Sequence, residues 1–519
     1  MSESKAKKNT PRNIRNLSAS GYSNSAASLT KPVFKGWSWT GGSPDDDIIA
    51  NLPVIRQRSR QLTMEAPVIA GLYKTLTTNC VGDGLRPEPA PDVEFLGMSP
   101  EDASKFKSSV LRFWELFAET PNCDVFRRDN FYELTRLVSR AQDESGDVFV
   151  TLPMFERKNI PFALKLQVIE ADCVADPEGW DPLKYQMEGA DIFGGVELSE
   201  RGHVLAYWFY IGHPLSHKPT SVLKPDWYRN PWVRIPAYGE ETGRPNVLHM
   251  MESLRPGQRR GIPLITPTIE MALTLDRYMK AEAIAAQIQA MFTVIVTSDI
   301  PEAMAADMSA MFDGEVNGVQ PGNDDIFMGN GTIMYARPGE KVEPIDPSRP
   351  HSVFGEFIGN VLQMWGPSVG IPYEMLIQKF DASYSASRAA INMAASNFKV
   401  KRAGLVHDFC QPVYEAFMDE AVARGWIPAK GYYNSPVARR AYTRASWSGP
   451  GMPQIDPVKE VAAYKVAIDL GLISRSKAAR EYNGTDYYQN VQELARELEE
   501  AKRAGLSPTE LITVDRGGV

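Results

Sequence analysis

The spacing of apolar residues changes along the chain, and the changes outline its parts. From Ser43-Pro-Asp-Asp-Asp to about Thr78, Ile49, Leu52, Ile55, Leu62, Val68, Leu72 and Leu76 recur at helical intervals, and Pro67 divides the run into two helices. Ser43 or Asp45 caps the first of them, and acids in the opening turn suit the positive end of the helix dipole. Val81-Gly-Asp-Gly-Leu-Arg-Pro reads as a turn followed by extended chain. One amphipathic helix follows Ser99-Pro-Glu-Asp, with Phe106, Val110, Phe113, Trp114 and Phe117 on one side; another covers Asn130 to Gln142. From Gly146 the period becomes two. Asp147–Leu152, Leu164–Ile169 and Ala206–Ile211 read as strands, with hairpin signals at Gly194-Gly195 and Glu200-Arg-Gly202, and Trp232–Pro236 and Asn246–Met250 add two shorter ones. Residues 41–260 therefore form a mixed α+β domain.

Helical spacing returns at Thr266-Pro267, a hydroxyl cap followed by proline at the first helical position, and continues to about Phe292 without another Gly or Pro. Such a helix is ~40 Å long at 1.5 Å per residue. Ala and Met fill much of it, so its apolar stripe is thin, as in a helix packed against neighbours as much as against its own core. Short strands (Thr293–Thr297, Gly331–Tyr335) and a helix (Pro301–Phe312) occupy the next roughly sixty residues, a small α/β cap. A second helix runs from about Ser352 to Trp365, Gly366-Pro-Ser-Val-Gly-Ile-Pro breaks it, and Tyr373–Ile377 resumes it briefly. A long helix then covers Ser387 to Ala423, with bends expected at Gly404 and Pro412. Helix, excursion and returning helix imply an elongated hairpin with something mounted on its tip. Asp456–Gly471, Ser474–Tyr482 and Asp486–Gly505 make a helical C-terminal piece, with Glu493–Glu500 as its solvated acidic face.

Composition narrows the function. A chain of 519 residues holds two to four domains. No apolar run is long enough to span a bilayer, and the N-terminus lacks the apolar region of a secretory signal, so no membrane partner and a cytoplasmic site of synthesis are expected. Residues 1–40 carry seven Lys and Arg against the single acid Glu3 and read as a mobile basic arm, either a contact for nucleic acid or an acidic partner, or a solubilising tail. The whole chain, by contrast, has a net charge of −8. Tight grip on duplex DNA needs clustered Lys and Arg, so any DNA contact is expected to be loose.

Four cysteines and six histidines lie scattered, without zinc-site spacing. Phosphate-cradling glycine loops, nucleophile elbows, H-E-x-x-H pairs and EF-hand loops are missing from the sequence. Two acid clusters remain. Asp45-Asp46-Asp47 opens a helix, and Asp143-Glu144-Ser-Gly-Asp147 sits at a helix-to-strand turn. A metal nuclease could use such carboxylates, but polar turn residues account for them more often. Neither an active site nor a cofactor is expected.

Five stretches in order then carry a resemblance. They are Arg56-x-Arg-x-Arg with Val81-Gly-Asp-Gly-Leu; Asp143-Glu-Ser-Gly-Asp-Val-Phe-Val with Leu166-Gln-Val-Ile-Glu-Ala-Asp; Arg255-Pro-Gly-Gln-Arg-Arg-Gly-Ile-Pro; Gly370-Ile-Pro-Tyr-Glu-Met-Leu with Ser383-Tyr-Ser-Ala-Ser-Arg-Ala-Ala; and Asp456-Pro-Val-Lys-Glu. In these the chain resembles the lambda-type portal proteins of tailed bacteriophages. Met64-Glu-Ala-Pro departs from an Arg-Asn-Asn-Pro-like run expected there. The resemblance implies an α+β portal fold with a mixed α/β wing, a long helical stem hairpin, a small α/β clip and a helical crown. On this chain it implies wing 41–262, first stem helix 263–292, clip 293–350, second stem helix 351–376, tunnel loop 377–388, long wing helix and return 389–454, and crown 455–519. It further implies a twelve-subunit ring at one capsid vertex through which double-stranded DNA is packaged and ejected. The implied partners are the terminase large subunit, a head–tail adaptor protein, and the major capsid and scaffolding proteins; the implied location is the virion, with assembly in the host cytoplasm. The loop residues Lys379, Asp381, Ser383, Tyr384, Ser385 and Arg388 are the ones expected to face DNA, unless Arg388 serves the following helix instead. A metal-dependent DNA-processing enzyme or another head–tail connector are the competing readings.

Overall fold

Strand β2 (Asp147–Thr151) is buried on both sides, and its alternation sets the layers. Val148 and Val150 face a helical core, while Phe149 joins a second core. In the computed structural model, which describes residues 31–37, 41–177, 191–216, 231–291, 295–298, 340–343, 354–380, 383–451, 457–485 and 487–505, β2 is the centre of an antiparallel sheet with β3 (Gln167–Glu170) and β8 (Val247–Met251). A four-stranded antiparallel meander, β4 (Asp191–Phe193), β5 (Val196–Leu198), β6 (Val204–Tyr210) and β7 (Trp232–Pro236), shares the second core through Val196, Leu198, Tyr207 and Phe209.

The helical core surrounds Trp114, whose ring meets Phe131, Phe417, Tyr414 and Trp447 edge-on at centroid separations of 4.9 to 6.1 Å. Edge-to-face pairs of this kind are favoured by the ring quadrupole. They tie helices Pro100–Ala118, Phe131–Ser145 and Gln411–Ala423 to the strand Ala445–Ser448, which pairs with Arg86–Pro89. Pro67 does divide the first long run, into Leu52–Glu65 and Pro67–Cys80, and Ser43 caps the opening helix in a capping box with Asp46. The long helix runs from Tyr384 to Leu405, passes through one π-turn at Val406–Cys410 and continues to Ala423. That widened turn lies immediately before Pro412, where an α-helix would lose a hydrogen bond and crowd a carbonyl. The expected bend at Pro412 is thus absorbed as a π-turn.

Three expectations need correction. Thr266 does not cap the first stem helix: its hydroxyl donates to Pro263 O at 2.6 Å, and Thr266–Thr268 form a 3-10 turn before helix Ile269–Met291. Gly366-Pro367 does not break the returning helix, which spans Phe354–Val369 and ends at Gly370, whose φ of 71° is the left-handed stop. Of the carboxylates expected as polar turn residues at the 143–147 corner, Asp143 and Asp147 are buried in ion pairs.

Asp147 is fully buried. Its Oδ1 accepts from Arg56 at 2.7 Å and Arg260 at 3.3 Å; its Oδ2 accepts from Arg260 Nε at 2.6 Å and the Gly261 amide at 3.1 Å, and lies 3.3 Å from His249 Nε2. Arg260 directs its remaining donors to the carbonyls of Val174, Gly194 and Ala171. Burial alone would raise the Asp147 pKa, but Arg260 and then Arg56 hold it far below the usual carboxylate range. Burial pushes the His249 pKa down, against the opposing pull of Asp147. Around this centre Arg60 pairs with Asp172, Arg259 with Asp45 and Arg255 with Asp47. Gly146 and Gly261 bring two backbones into contact here: a Cβ on Gly261 would lie 2.0 Å from Gly146 O. Asp143, also buried, pairs with Lys401 of the long helix; burial raises its pKa despite that partner.

Asp147→Asn leaves two buried guanidinium groups short of a counter-charge and is expected to destabilise the fold by about 3–5 kcal/mol at pH 7, read by urea unfolding. The folded carboxyl titrates below the unfolded value of about 3.9, so its stabilisation is complete above that pH and lost below it; the gap between wild type and variant should narrow as pH falls past about 4. Gly261→Ala should be at least as damaging, because the obstructing atom is backbone rather than a side chain able to move; a melting curve checks this.

Candidate functional site

Helices Ile269–Met291 and Phe354–Val369 form a paired hairpin. Trp365 Nε1 donates to Met271 Sδ at 2.8 Å, and further up Tyr278 meets Phe357 and Phe354 at ring separations of 5.2 and 5.7 Å. Each step forward on Ile269–Met291 is thus matched by a step backward on Phe354–Val369. The same antiparallel pairing continues in β9 (Ile295–Ser298) with β10 (Glu340–Glu343), where Ile295 faces Glu343 and Ser298 faces Glu340. The expected strand near Thr293 is therefore present two residues later. Its partner was not foreseen, and the expected helix Pro301–Phe312 and strand Gly331–Tyr335 lie outside the described residues. The base of the hairpin is rooted in the helical core by Ala272, Leu275, Leu362 and Trp365, whereas Ile284, Phe357 and Met364 are 56%, 49% and 67% exposed.

After Gly370 the chain folds back on itself. Ile371 N donates to Gly366 O at 3.1 Å, and Asn397 Nδ2 holds Gly370 O at 2.9 Å, pinning the turn to the long helix. Tyr373–Leu376 forms one buried helical turn, and Gln378 at φ 54° redirects the backbone so that Lys379 N reaches Glu374 O. Ser383 then caps helix Tyr384–Leu405, its side chain accepting from the Ala386 amide at 3.4 Å.

These elements place the expected DNA-facing residues unequally. Lys379 and Phe380 are exposed at the head of the segment. Asp381 and the side chain of Tyr384 lie outside the described residues. Ser383 and Ser385 are exposed, the former committed to the cap. Arg388 is half-buried in the second turn of the helix and is engaged within the chain, so it does not stand at the end of an open loop. The helix begins at Tyr384, earlier than apolar spacing suggested, because Tyr-Ser-Ala-Ser-Arg carries no core stripe; the serine cap three residues before Ala386 was the usable signal. Ser387, never singled out, is buried with its hydroxyl unpartnered among the described residues.

Among the described residues, Glu170, Asp172 and His213 bring ligand atoms within 4.8 Å of one another, but Arg60 occupies Asp172, and His213 lies 3.0 Å from Glu170. No described helix is long and apolar enough to cross a membrane.

Comparison with known proteins agrees with the motif reading. The chain is 22% identical over 491 residues to the portal protein of Escherichia phage N15 and, equally, to portal protein B of Escherichia phage lambda, covering 91% of this chain and 89% of each relative. A chain in the neck of an empty gene transfer agent particle aligns over 82% of this chain and 94% of its own length, at 12% identity and a TM-score of 0.45. The family model described as "Phage portal protein, lambda family" matches residues 30–402, and with nearly three quarters of its length inside that match the chain belongs to the lambda family of phage portal proteins.

Proposed function

We propose that copies of this chain close into a ring, with twelve expected, at one vertex of the capsid, and that the stem hairpins line an axial channel for double-stranded DNA. The observation that carries the reading is the hairpin itself. Its base is rooted in the helical core, yet Ile284, Phe357 and Met364 along its length stay exposed in a single chain. Exposed apolar residues along a long paired helix call for a neighbour, and head-to-tail contacts that close produce a ring with one axis.

The segment 377–388 is the constriction in this reading. Lys379, Ser383 and Ser385, together with Asp381, Tyr384 and Arg388, make weak, sequence-blind contacts with the moving duplex, and the net charge of −8 keeps it from being gripped. The tip of the hairpin, residues 293–350, docks the terminase large subunit during packaging and the head–tail adaptor afterwards, while the wing faces the major capsid and scaffolding proteins. The ring remains in the virion after assembly in the host cytoplasm, and the protein acts without catalysis.

Negative-stain microscopy of the purified chain is expected to show closed rings with a central hole; monomers or open filaments would overturn the assembly. Lys379→Ala and Arg388→Ala should lower the yield of DNA-filled heads several-fold in a packaging assay while rings still form. Unchanged packaging and retention would remove these residues from the channel wall.

A further inference from the structure

The paired hairpin carries two opposite charges that it does not use itself. Arg277 on helix Ile269–Met291 and Glu356 on helix Phe354–Val369 are both exposed. Neither forms an ion pair among the described residues. The nearby Lys280, by contrast, is held by Asp276 of its own helix at 2.6 Å.

Both charges project from the free sides of the hairpin. At 3.6 residues per turn, Arg277 and Ile284 share the side of their helix about 160–180° around from the buried Leu275. Glu356 stands about 180° around from the buried Trp365, whose indole reaches Met271 on the other limb. The two are also level. Met271 stands beside Trp365 and Tyr278 beside Phe357. Arg277 of one limb and Glu356 of the other therefore differ in height by less than one helical turn of about 5.4 Å.

Equal height is what a ring requires of residues that meet between copies. Rotation about one axis keeps every residue at its own level, and a head-to-tail contact joins unlike sides of successive chains. We infer that Arg277 pairs with Glu356 of the adjacent copy, and that this pair, repeated around the ring, fixes the axial register of neighbouring hairpins. The inference rests on the ring proposed above. The side of the helix that carries Arg277 also carries Ile284, 56% exposed, which a neighbouring chain can cover and a phosphate backbone cannot. Opposite charges at a contact edge set register and reject wrong pairings more than they add raw affinity.

The test measures ring assembly by sedimentation over a range of protein concentrations, with closure checked by negative-stain microscopy. At low salt Arg277→Glu should raise the concentration at which half of the chains are in rings by about fivefold or more, because it sets like charges together at every contact. Glu356→Arg should do the same. Combining Arg277→Glu with Glu356→Arg in one chain should bring that concentration back to within about twofold of wild type. In 1 M NaCl, where charges are screened within about 3 Å, the deficits of the single variants should shrink. Both positions are exposed, so circular dichroism of the variants should match wild type. Single variants that assemble like wild type, or a double variant whose deficit is the sum of the two singles, would overturn the pair while leaving the ring; absence of rings in wild type would overturn both. If Arg277→Glu left assembly unchanged and lowered the yield of DNA-filled heads, the arginine would face the channel and the inference would fail.

Discussion

A single buried carboxylate holds the junction from which the helical hairpin rises. Asp147 is placed at the first residue of the central strand, where the helix Phe131–Ser145 turns into the sheet. Removing a carboxylate from water is unfavourable unless its lone pairs are filled, and here two guanidinium groups and a backbone amide fill them. The arginines arrive from remote parts of the chain, Arg56 from the second helix and Arg260 from the segment leading into the stem. The direction in which the hairpin leaves the sheet and helices below it is therefore fixed by charge geometry as well as by apolar packing, which tolerates sliding far better than a network of directed hydrogen bonds does.

This gives a physical account of the stretches that carry the family resemblance. Arg56-x-Arg-x-Arg60, the Asp143 to Asp147 corner, Asp172 and Arg255 to Gly261 are far apart in sequence, yet they meet around Asp147. Their glycines are part of the same device, since Gly146 and Gly261 touch backbone to backbone. Asp147, Arg56 and Arg260 at its centre are buried, while Arg255 at its edge is exposed.

Most of the architecture was legible because it rests on local signals. The helices flanking Pro67, the period-two strands, the hairpins at Gly194 and Gly202 and the long stem all follow from spacing, proline and glycine. What could not be read was set by long-range partners. Asp143 and Asp147 looked like solvated turn residues because a sequence does not show that Lys401 and Arg260 will reach them. Helix Phe354–Val369 continued past Gly366-Pro367 because Trp365 and Val369 are held in the core, and burial overrode the local break. The start of the long helix was misplaced because its first turn has no large aliphatic residue to mark it. In the proposed channel segment, the serines and the cap were readable, whereas the half-buried setting of Arg388 was not.

The step-for-step pairing of the two limbs makes the hairpin a ruler. Because Met271 answers Trp365, Tyr278 answers Phe357 and Ile295 answers Glu343, its length is stored twice, once in each limb. A change of length in one limb alone would shift every pair above it and twist the tip off axis. Matched insertions of seven residues in both limbs, about two helical turns, would raise the tip by roughly 10 Å and return each face to its partner. A taller or shorter hairpin can in this way be reached through paired insertions, with the anchoring joint left unaltered.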